Sequence, residues 1–265
     1  MPSATTAGNS MPIQLQPQIT DLEAWVTLAQ QENAVFEVMD SVLVTGSRDF
    51  GKLTEITETY RNTGLCRSLH GAFMDVNPAS GDPDFSALSR QRCRESCETA
   101  VSLGAGDVVF HSSAFPFLRG AYLENWASGC AAFYEELAQN YPVRIWIENA
   151  QDLDPEPLRC LMDKVRSDRI GVCLDIGHAS YSRTPVSAWF ESLSDRIGYL
   201  HLSDNLGQFD DHLPLGQGRI DWEQVNGLWK ALGREIPITL ETGSLASAAG
   251  SLRFLREHRY FGLEG

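Results

Sequence analysis

Short apolar segments alternate with amphipathic helical segments along the chain, and the alternation occurs about eight times. Apolar runs of about four to eight residues between turn residues are typical of strands buried in a parallel sheet, whereas longer segments with a helical period are typical of surface helices. Strands that alternate with helices imply parallel pairing through right-handed crossovers. Eight such units predict a single (β/α)8 TIM barrel with a parallel eight-stranded core, and a doubly wound open sheet is the alternative.

The first strand is the weakest of the predicted elements, because Pro17 interrupts it and cannot donate a backbone hydrogen bond to a neighbouring strand. Asp21 is a candidate N-cap for the helix that follows. The predicted strands span residues 13–18, 35–39, 66–73, 108–111, 144–149, 170–174, 197–202 and 238–241. The predicted helices span residues 22–31, 53–62, 85–103, 124–140, 155–165, 186–193, 222–232 and 247–258.

The length of 265 residues suits one barrel, and a hydrophobic content of 43% is enough to bury a large core. Residues 1–12 are small and polar, so we expect a flexible N-terminal tail ahead of a catalytic domain at residues 13–265. This tail has neither the basic start nor the apolar segment of a secretory signal. No apolar run approaches the roughly 20 residues of a membrane helix, so no membrane partner is expected.

The six cysteines are scattered without a CxxC pair, which argues against a disulfide framework in a chain of this size. A reducing cytosol is the simplest setting, and we expect a cytoplasmic protein. The net charge of -14 argues against binding nucleic acid through a broad basic face, although bound cations would offset part of it. A small polar substrate fits this charge more easily. The sequence does not predict an oligomeric state.

Carboxylates and imidazoles recur at the carboxyl ends of the predicted strands. Asp175 directly follows the predicted sixth strand, for example, and His178 comes three residues later. In a closed barrel all these ends converge on one mouth, where barrel enzymes keep their active sites. The titratable residues at or just beyond the strand ends are His70, His111, Glu148, Asp175, His178, His201, Asp210, His212 and Glu241.

This crowding predicts a divalent metal site at the mouth. Carboxylates brought together in a half-buried place repel one another, and a bound cation removes the repulsion. Carboxylate and neutral imidazole together suit zinc, manganese or iron(II). Glu148 and Glu241 each follow a strongly apolar run with no adjoining Lys or Arg, which favours a ligand or catalytic base over a structural carboxylate.

Other interpretations of these residues stay open at this point. Solvated polar loop residues could gather at the mouth without a ligand, and His70 and His111 could be core histidines bonded to the backbone. Glu37 ends a similar apolar run on the second strand. It could hold a hydrogen bond behind the site, or it could be structural. No glycine-rich nucleotide-binding motif is present, so no organic cofactor is predicted.

Five segments resemble the xylose isomerase-like TIM barrels, a superfamily that includes sugar-phosphate isomerases and epimerases and endonuclease IV. The resemblance extends from His70 to Glu241, whereas the first strand matches poorly. The segments are specific for the superfamily and much less specific for one member. They are residues 69–73 (LHGAF), 147–149 (IEN), 173–179 (CLDIGHA), 201–205 (HLSDN) and 210–218 (DDHLPLGQG).

The resemblance implies a divalent metal held by Glu148, Asp175, His201 and Glu241. In the epimerase branch the two glutamates lie on opposite faces of a sugar, sugar phosphate or related polyol. One removes the proton next to the carbonyl and the other returns it, through an enediolate that a Lewis acid stabilises. His178 would then hydrogen-bond a sugar oxygen. The metal could be manganese, zinc, magnesium or cobalt, at one site or at up to three.

The resemblance also implies an alternative, an endonuclease IV-like zinc phosphodiesterase for abasic DNA or a small phosphoester. Its trinuclear site uses nine ligands, and the nine strand-end residues supply a candidate for each. The loops argue against it, since residues 74–84 contain no Lys or Arg and the loop after His111 offers only Arg119. A lyase acting on a keto-polyol and a non-catalytic binding protein are the remaining hypotheses. A small carbohydrate is the expected partner, and nucleic acid is not.

Overall fold

Eight parallel strands close into a barrel whose order around the circle follows the order along the chain. The computed structural model describes residues 11–264, apart from the side chains of Leu43 and Val44. Because the last strand pairs with the first, the predicted (β/α)8 TIM barrel is confirmed and the open sheet is excluded. The strands are β1 (Gln14–Leu15), β2 (Val35–Met39), β3 (Cys66–His70), β4 (Asp107–His111), β5 (Arg144–Glu148), β6 (Ile170–Asp175), β7 (Ile197–Leu202) and β8 (Ile238–Leu240).

Helices connect the strands and cover the outside of the barrel. Within residues 11–264, none of them is long and apolar enough to cross a membrane. The helices are α1 (Leu22–Glu32), α2 (Ser41–Thr45), α3 (Phe50–Arg61), α4 (Pro83–Leu103), α5 (Ala121–Asn140), α6 (Glu156–Met162), α7 (Ile176–Tyr181), α8 (Val186–Leu193), α9 (Trp222–Ala231) and α10 (Leu245–His258).

Several predicted boundaries are wrong by a few residues, for identifiable reasons. β1 is only two residues long and ends before Pro17, which has no N–H for the ladder. Asp49 and Asp82 accept hydrogen bonds from the first backbone N–H groups of α3 and α4, so these helices begin earlier than predicted. Asp21 occupies the N-cap position of α1, but its carboxylate accepts from Trp25 Nε1 instead of capping the helix.

Other predictions fall at the ends of the elements or outside the described residues. β3 ends at His70 and α6 at Met162, both short of the predicted ends, and the short helices α2 and α7 were not predicted. The predicted tail at residues 1–12 lies outside the described residues except for Met11 and Pro12. All six cysteines are free, as expected from their spacing.

The lower half of the barrel is filled by a large indole. Trp146 on β5 packs with Val109, Cys173 and Tyr199 inside the barrel, and its Nε1 donates to Asp107 Oδ1 at 2.7 Å. A methyl group at Gly171 or Gly198 would lie 2.6 or 2.3 Å from the Trp146 ring, so only glycine leaves room for it there. The filled interior restricts ligand binding to the upper mouth.

The register of neighbouring strands brings their last residues side by side at the upper mouth. His111 at the end of β4 pairs with Glu148 at the end of β5, and Asp175 at the end of β6 pairs with His201 on β7. A parallel barrel therefore converts residues far apart in the sequence into neighbours in one layer.

Candidate active site

The structure brings all nine predicted site residues together at the mouth. His70, His111, Glu148 and Asp175 are the last residues of their strands, and Glu241 directly follows β8. His201 is the next-to-last residue of β7, and His178 lies in α7. Asp210 and His212 lie in the loop between β7 and α9.

Glu148 is the centre of the group. Four imidazoles from four different elements surround its carboxylate. The distances from the imidazole nitrogens to the nearer Glu148 carboxylate oxygen are 3.2 Å for His178 Nδ1, 3.3 Å for His70 Nε2, 3.4 Å for His201 Nδ1 and 3.6 Å for His111 Nε2. Neither oxygen of Glu148 has a hydrogen-bond partner among the described residues, although both are buried.

Asp210 links the mouth to the loop above it. Its Oδ2 lies 3.2 Å from His178 Nε2 and 2.8 Å from His212 Nε2. His212 Nδ1 lies 3.0 Å from the backbone oxygen of Glu241, which accepts the hydrogen bond. With Nδ1 donating, a hydrogen bond from Nε2 to Asp210 requires the protonated ring, and the Asp210 contact raises the pKa of His212 to about 9.

Four of these residues form a cluster that fits a divalent cation. Glu148, Asp175, His201 and Glu241 each offer one ligand atom within 4.8 Å of the others, and at most 5% of each residue's surface is exposed. His201 Nδ1, like the Glu148 oxygens, is buried without a hydrogen-bond partner in the described chain. Buried polar atoms are normally satisfied, so these atoms are available as ligands. Three carboxylates and one imidazole suit zinc, manganese or cobalt, and magnesium less well.

Three further sets of ligand atoms overlap this cluster, each within the same 4.8 Å limit. They are His70, His111 and Glu148; His70, His201 and Glu241; and Glu148, Cys173 and His201. Because the sets share residues, the site can accept more than one arrangement of ions. The geometry of the nine residues therefore leaves both one ion and several ions possible.

The electrostatics of the cluster favour a positive charge at its centre. Burial disfavours the imidazolium of His201, but Cys173, Glu241 and Glu37 outweigh it and raise the pKa of His201 well above the usual value. Burial raises the pKa of Asp175 to about 7. Burial also lowers the pKa of His111 to about 3, so this imidazole stays neutral and keeps a lone pair for a ligand.

The cavity above the cluster has a volume of about 500 Å³ and a mixed lining. His70, His111 and His178 are among its polar residues, and Met39 and Phe73 are among its apolar ones. None of the described residues that line the cavity is Lys or Arg. The cavity has the size of a small-molecule site, with both polar and apolar groups in its described lining and no Lys or Arg to bind a phosphate.

Two residues that hold the site were missed by the sequence analysis. Gln16, one residue beyond β1, donates from Nε2 to both Glu37 and Glu241. Asn149 clamps β5 to β6, since its amide donates to the Asp175 backbone oxygen at 3.0 Å and accepts from the Asp175 N–H at 2.8 Å. Their position could have identified them, because both are polar residues that lie just beyond the carboxyl end of a strand.

The loop after β7 wraps around a buried carboxylate, and this close approach requires glycine. Asp204 is fully buried and accepts from Gly216 N and Trp222 Nε1, both at 2.9 Å. A methyl group at Gly218 would lie 2.1 Å from Asp204 Oδ1, so the loop can wrap this carboxylate only with glycine there. The anchored loop carries Asp210 and His212 to the mouth. Asp204 itself shapes the loop and does not face the cavity.

Comparisons with known proteins agree with this architecture. The family model for the xylose isomerase-like TIM barrel matches residues 35–258. The chain is 30% identical over 204 residues to uncharacterized protein MJ1311 of Methanocaldococcus jannaschii, covering 72% of this chain and 69% of that protein. It is 26% identical over 219 residues to the probable endonuclease 4 of Mycobacterium leprae, covering 76% and 81%.

Two solved structures show the same fold over nearly the whole chain. A D-tagatose 3-epimerase-like protein superposes with a TM-score of 0.75 at 23% identity, covering 94% of this chain and 97% of that one. The TTHB071 protein from Thermus thermophilus, whose structure was determined after soaking with ZnCl2, has a TM-score of 0.75 at 25% identity, covering 93% and 97%.

Proposed function

The chain belongs to the xylose isomerase-like TIM barrel family, and we propose that within it the protein is a metal-dependent isomerase or epimerase of a small sugar or related polyol. The observation that carries the proposal is the cluster of Glu148, Asp175, His201 and Glu241, which adjoins, through Glu241, a cavity whose described lining has no Lys or Arg. These four residues would hold the ion. A bound divalent cation supplies Lewis-acid stabilisation of the negative charge that develops on a substrate carbonyl oxygen.

The chain's own residues would then move the proton. Glu148 on β5 and Glu241 after β8 lie in separate sectors of the barrel, and Glu241 lines the cavity. One carboxylate would take a proton from the carbon beside the carbonyl and the other would return it. Both side chains are nearly inaccessible to water, which protects the carbanionic intermediate from stray protonation.

The substrate would be oriented by polar residues of the cavity lining. His178 lies 2.8 Å from the backbone oxygen of Asn149 through Nδ1 and 3.2 Å from Asp210 through Nε2, so its ring is fixed at the edge of the cavity. With His212 and Asp210 it would bind sugar hydroxyls. The apolar lining residues, such as Met39 and Phe73, would contact the C–H groups of the sugar. Because no Lys or Arg lines the described part of the cavity, we infer a substrate without a phosphate group.

Hydrogen exchange with solvent tests this proposal. The metal-loaded protein is incubated with a panel of ketopentoses and ketohexoses in D2O, and substrate and product are followed by NMR. We expect deuterium at one carbon next to the carbonyl, together with an isomer or epimer of the substrate. Isomerisation that proceeds without any deuterium incorporation, or no reaction across ketoses and sugar phosphates, would reject the two-glutamate mechanism.

An endonuclease IV-like phosphodiesterase is the second candidate. The nine residues that would form such a site all converge here, and the Mycobacterium leprae relative carries that name. The pairing of Arg119 near the mouth argues against this candidate. Arg119 lies 2.9 Å from Asp154 and 3.3 Å from Glu156, so its charge is already neutralised and is not free to bind a DNA phosphate. If this candidate is right, zinc-loaded protein cleaves abasic DNA, the cleavage falls steeply with salt, and His70→Ala abolishes it.

A further inference from the structure

A buried carboxylate lies directly behind the candidate metal site and belongs to none of the nine site residues. Glu37 on β2 is completely buried inside the barrel. Its Oε2 accepts a hydrogen bond from the Tyr199 hydroxyl at 2.6 Å, with Thr239 Oγ1 at 3.2 Å and Ser68 Oγ at 3.3 Å. No Lys or Arg among the described residues pairs with it. A buried charge is costly unless a basic group pairs with it, and here that group is the His201 imidazole of the candidate metal cluster.

Glu37 contacts one of the two ring nitrogens of His201. His201 Nε2 lies 3.1 Å from Glu37 Oε1 and 3.3 Å from Oε2. The other nitrogen, Nδ1, lies 3.3 Å from Glu241 Oε1 and 3.4 Å from Glu148 Oε2. When a cation takes the place of one ring proton, the imidazole keeps a single N–H, and a carboxylate beside Nε2 holds that proton there. The lone pair of Nδ1 then faces the ligand cluster.

Glu37 also reaches a second member of the cluster through one intermediate side chain. The amide nitrogen of Gln16 donates to Glu37 Oε1 at 2.9 Å and to Glu241 Oε1 as well. Gln16 therefore ties the two carboxylates together at the end of β1. The same Glu37 carboxylate holds His201 directly and Glu241 indirectly, so its hydrogen bonds reach two of the four residues that would bind the ion.

We propose that Glu37 is a positioning residue of the metal site, which keeps His201 in the Nε2–H form with Nδ1 on the ion and orients Glu241 through Gln16. This inference rests on the metal site of the proposed function. According to this inference, the metal affinity of the site depends partly on a residue that would contact neither the ion nor the substrate. Carboxylate partners of metal-bound imidazoles typically contribute about 10- to 100-fold in metal affinity.

Metal titration of chelator-treated protein tests this assignment. Binding of Mn²⁺ and of Zn²⁺ is measured by calorimetry for wild type and Glu37→Gln, which keeps the volume and removes the charge. We expect an affinity about 10- to 100-fold weaker in the variant. Asp107→Asn is the matched control, because Asp107 is a buried strand carboxylate at the opposite end of the barrel, bonded to Trp146 and Arg144. It should leave the affinity unchanged.

Gln16→Ala tests the connection from Glu37 through Gln16 to Glu241. Gln16 is half-buried, so its truncation should leave the core intact. We expect several-fold weaker metal binding. A folded Glu37→Gln protein with wild-type affinity overturns the inference, even if its thermal stability falls, since that result would show a purely structural role. If Glu37→Gln does not fold, wild-type affinity in Gln16→Ala overturns it instead. A wild type that binds no divalent ion would contradict the proposed function itself.

Discussion

At the scale of single residues, the mouth of the barrel concentrates charge that the interior cannot solvate. Glu148 is fully buried, and His70, His111, His178 and His201 surround it. Burial alone would raise the pKa of Glu148, but the imidazoles around it outweigh burial and lower it well below the usual value. Glu148 therefore stays ionised, which is the form that a metal ligand and a proton acceptor both need.

Replacing either glutamate with glutamine is the direct test of the proton-transfer roles. For Glu148→Gln and Glu241→Gln we expect deuterium incorporation into the ketose substrate to fall by about 100-fold or more, since an amide cannot accept the proton. The metal should still bind, because the remaining ligands are unchanged. Glu156→Gln, at the exposed rim beside Arg119, is the control and should keep the wild-type rate. Full activity in Glu148→Gln or Glu241→Gln would contradict the mechanism.

Asp152 provides a separate test, through the pH dependence of stability. Its Oδ2 accepts from Ser112 Oγ at 2.6 Å and from Ala150 N at 3.2 Å, while Oδ1 is buried without a partner in the described chain. Burial raises the pKa of Asp152 from 3.8 to about 6. The folded state therefore binds this proton more tightly than the unfolded state, and the carboxylate becomes increasingly destabilising as the pH rises from about 4 to about 6.

Asp152→Asn should remove this pH dependence. Between pH 4 and pH 7, we expect the free energy of unfolding of the variant to improve relative to wild type by up to about 3 kcal/mol. Urea unfolding at several pH values measures the difference. Parallel stability profiles for the two proteins would show that the carboxylate is not held in an unfavourable ionised state.

At the scale of elements, the site depends on how strands and loops end. α7 begins immediately after β6, and Asp175 both ends the strand and accepts from the backbone N–H of His178. The loop after β7 is pinned at Asp204, whose backbone N–H and oxygen pair with Leu213 at 2.9 and 2.8 Å. These two connections carry His178, Asp210 and His212 over the cavity.

A methyl group at Gly218 should disturb the second connection. Its Cβ would lie 2.1 Å from Asp204 Oδ1, so we expect Gly218→Ala to lower the free energy of unfolding by about 1–3 kcal/mol. The variant should also bind substrate more weakly, because the loop carries Asp210 and His212. Thermal unfolding and substrate titration measure both effects.

Gly227→Ala is the matched control for this substitution. Gly227 lies inside α9, and a methyl group there meets no atom within 4 Å. It should be neutral or stabilise by up to about 1 kcal/mol, since alanine is the better helix former. Equal stability of Gly218→Ala and Gly227→Ala would mean that the loop does not depend on the close approach to Asp204.

At the scale of the whole molecule, the barrel and its nine converging residues could be predicted from sequence because topology alone brings parallel strand ends together. Residues such as His70 and Glu241 could be assigned to the site from their positions at strand ends, without knowing which side chains contact them. The contacts behind the site could not be predicted. Gln16 meets Glu241 across 225 positions of sequence, and this depends on the register between β1 and β8. α2 and α7 have five and six residues, too few for a helical period to show.

The central claim is that the cluster of Glu148, Asp175, His201 and Glu241 holds a divalent ion for proton transfer on a small carbohydrate. The most direct measurement is the metal content of protein purified without chelator or added metal, by elemental analysis. We predict about one manganese, zinc, magnesium or cobalt ion per chain, lost in His201→Ala. Two or three zinc ions per chain would instead favour phosphoester hydrolysis. Protein that carries no divalent ion and takes none up on titration would contradict the claim.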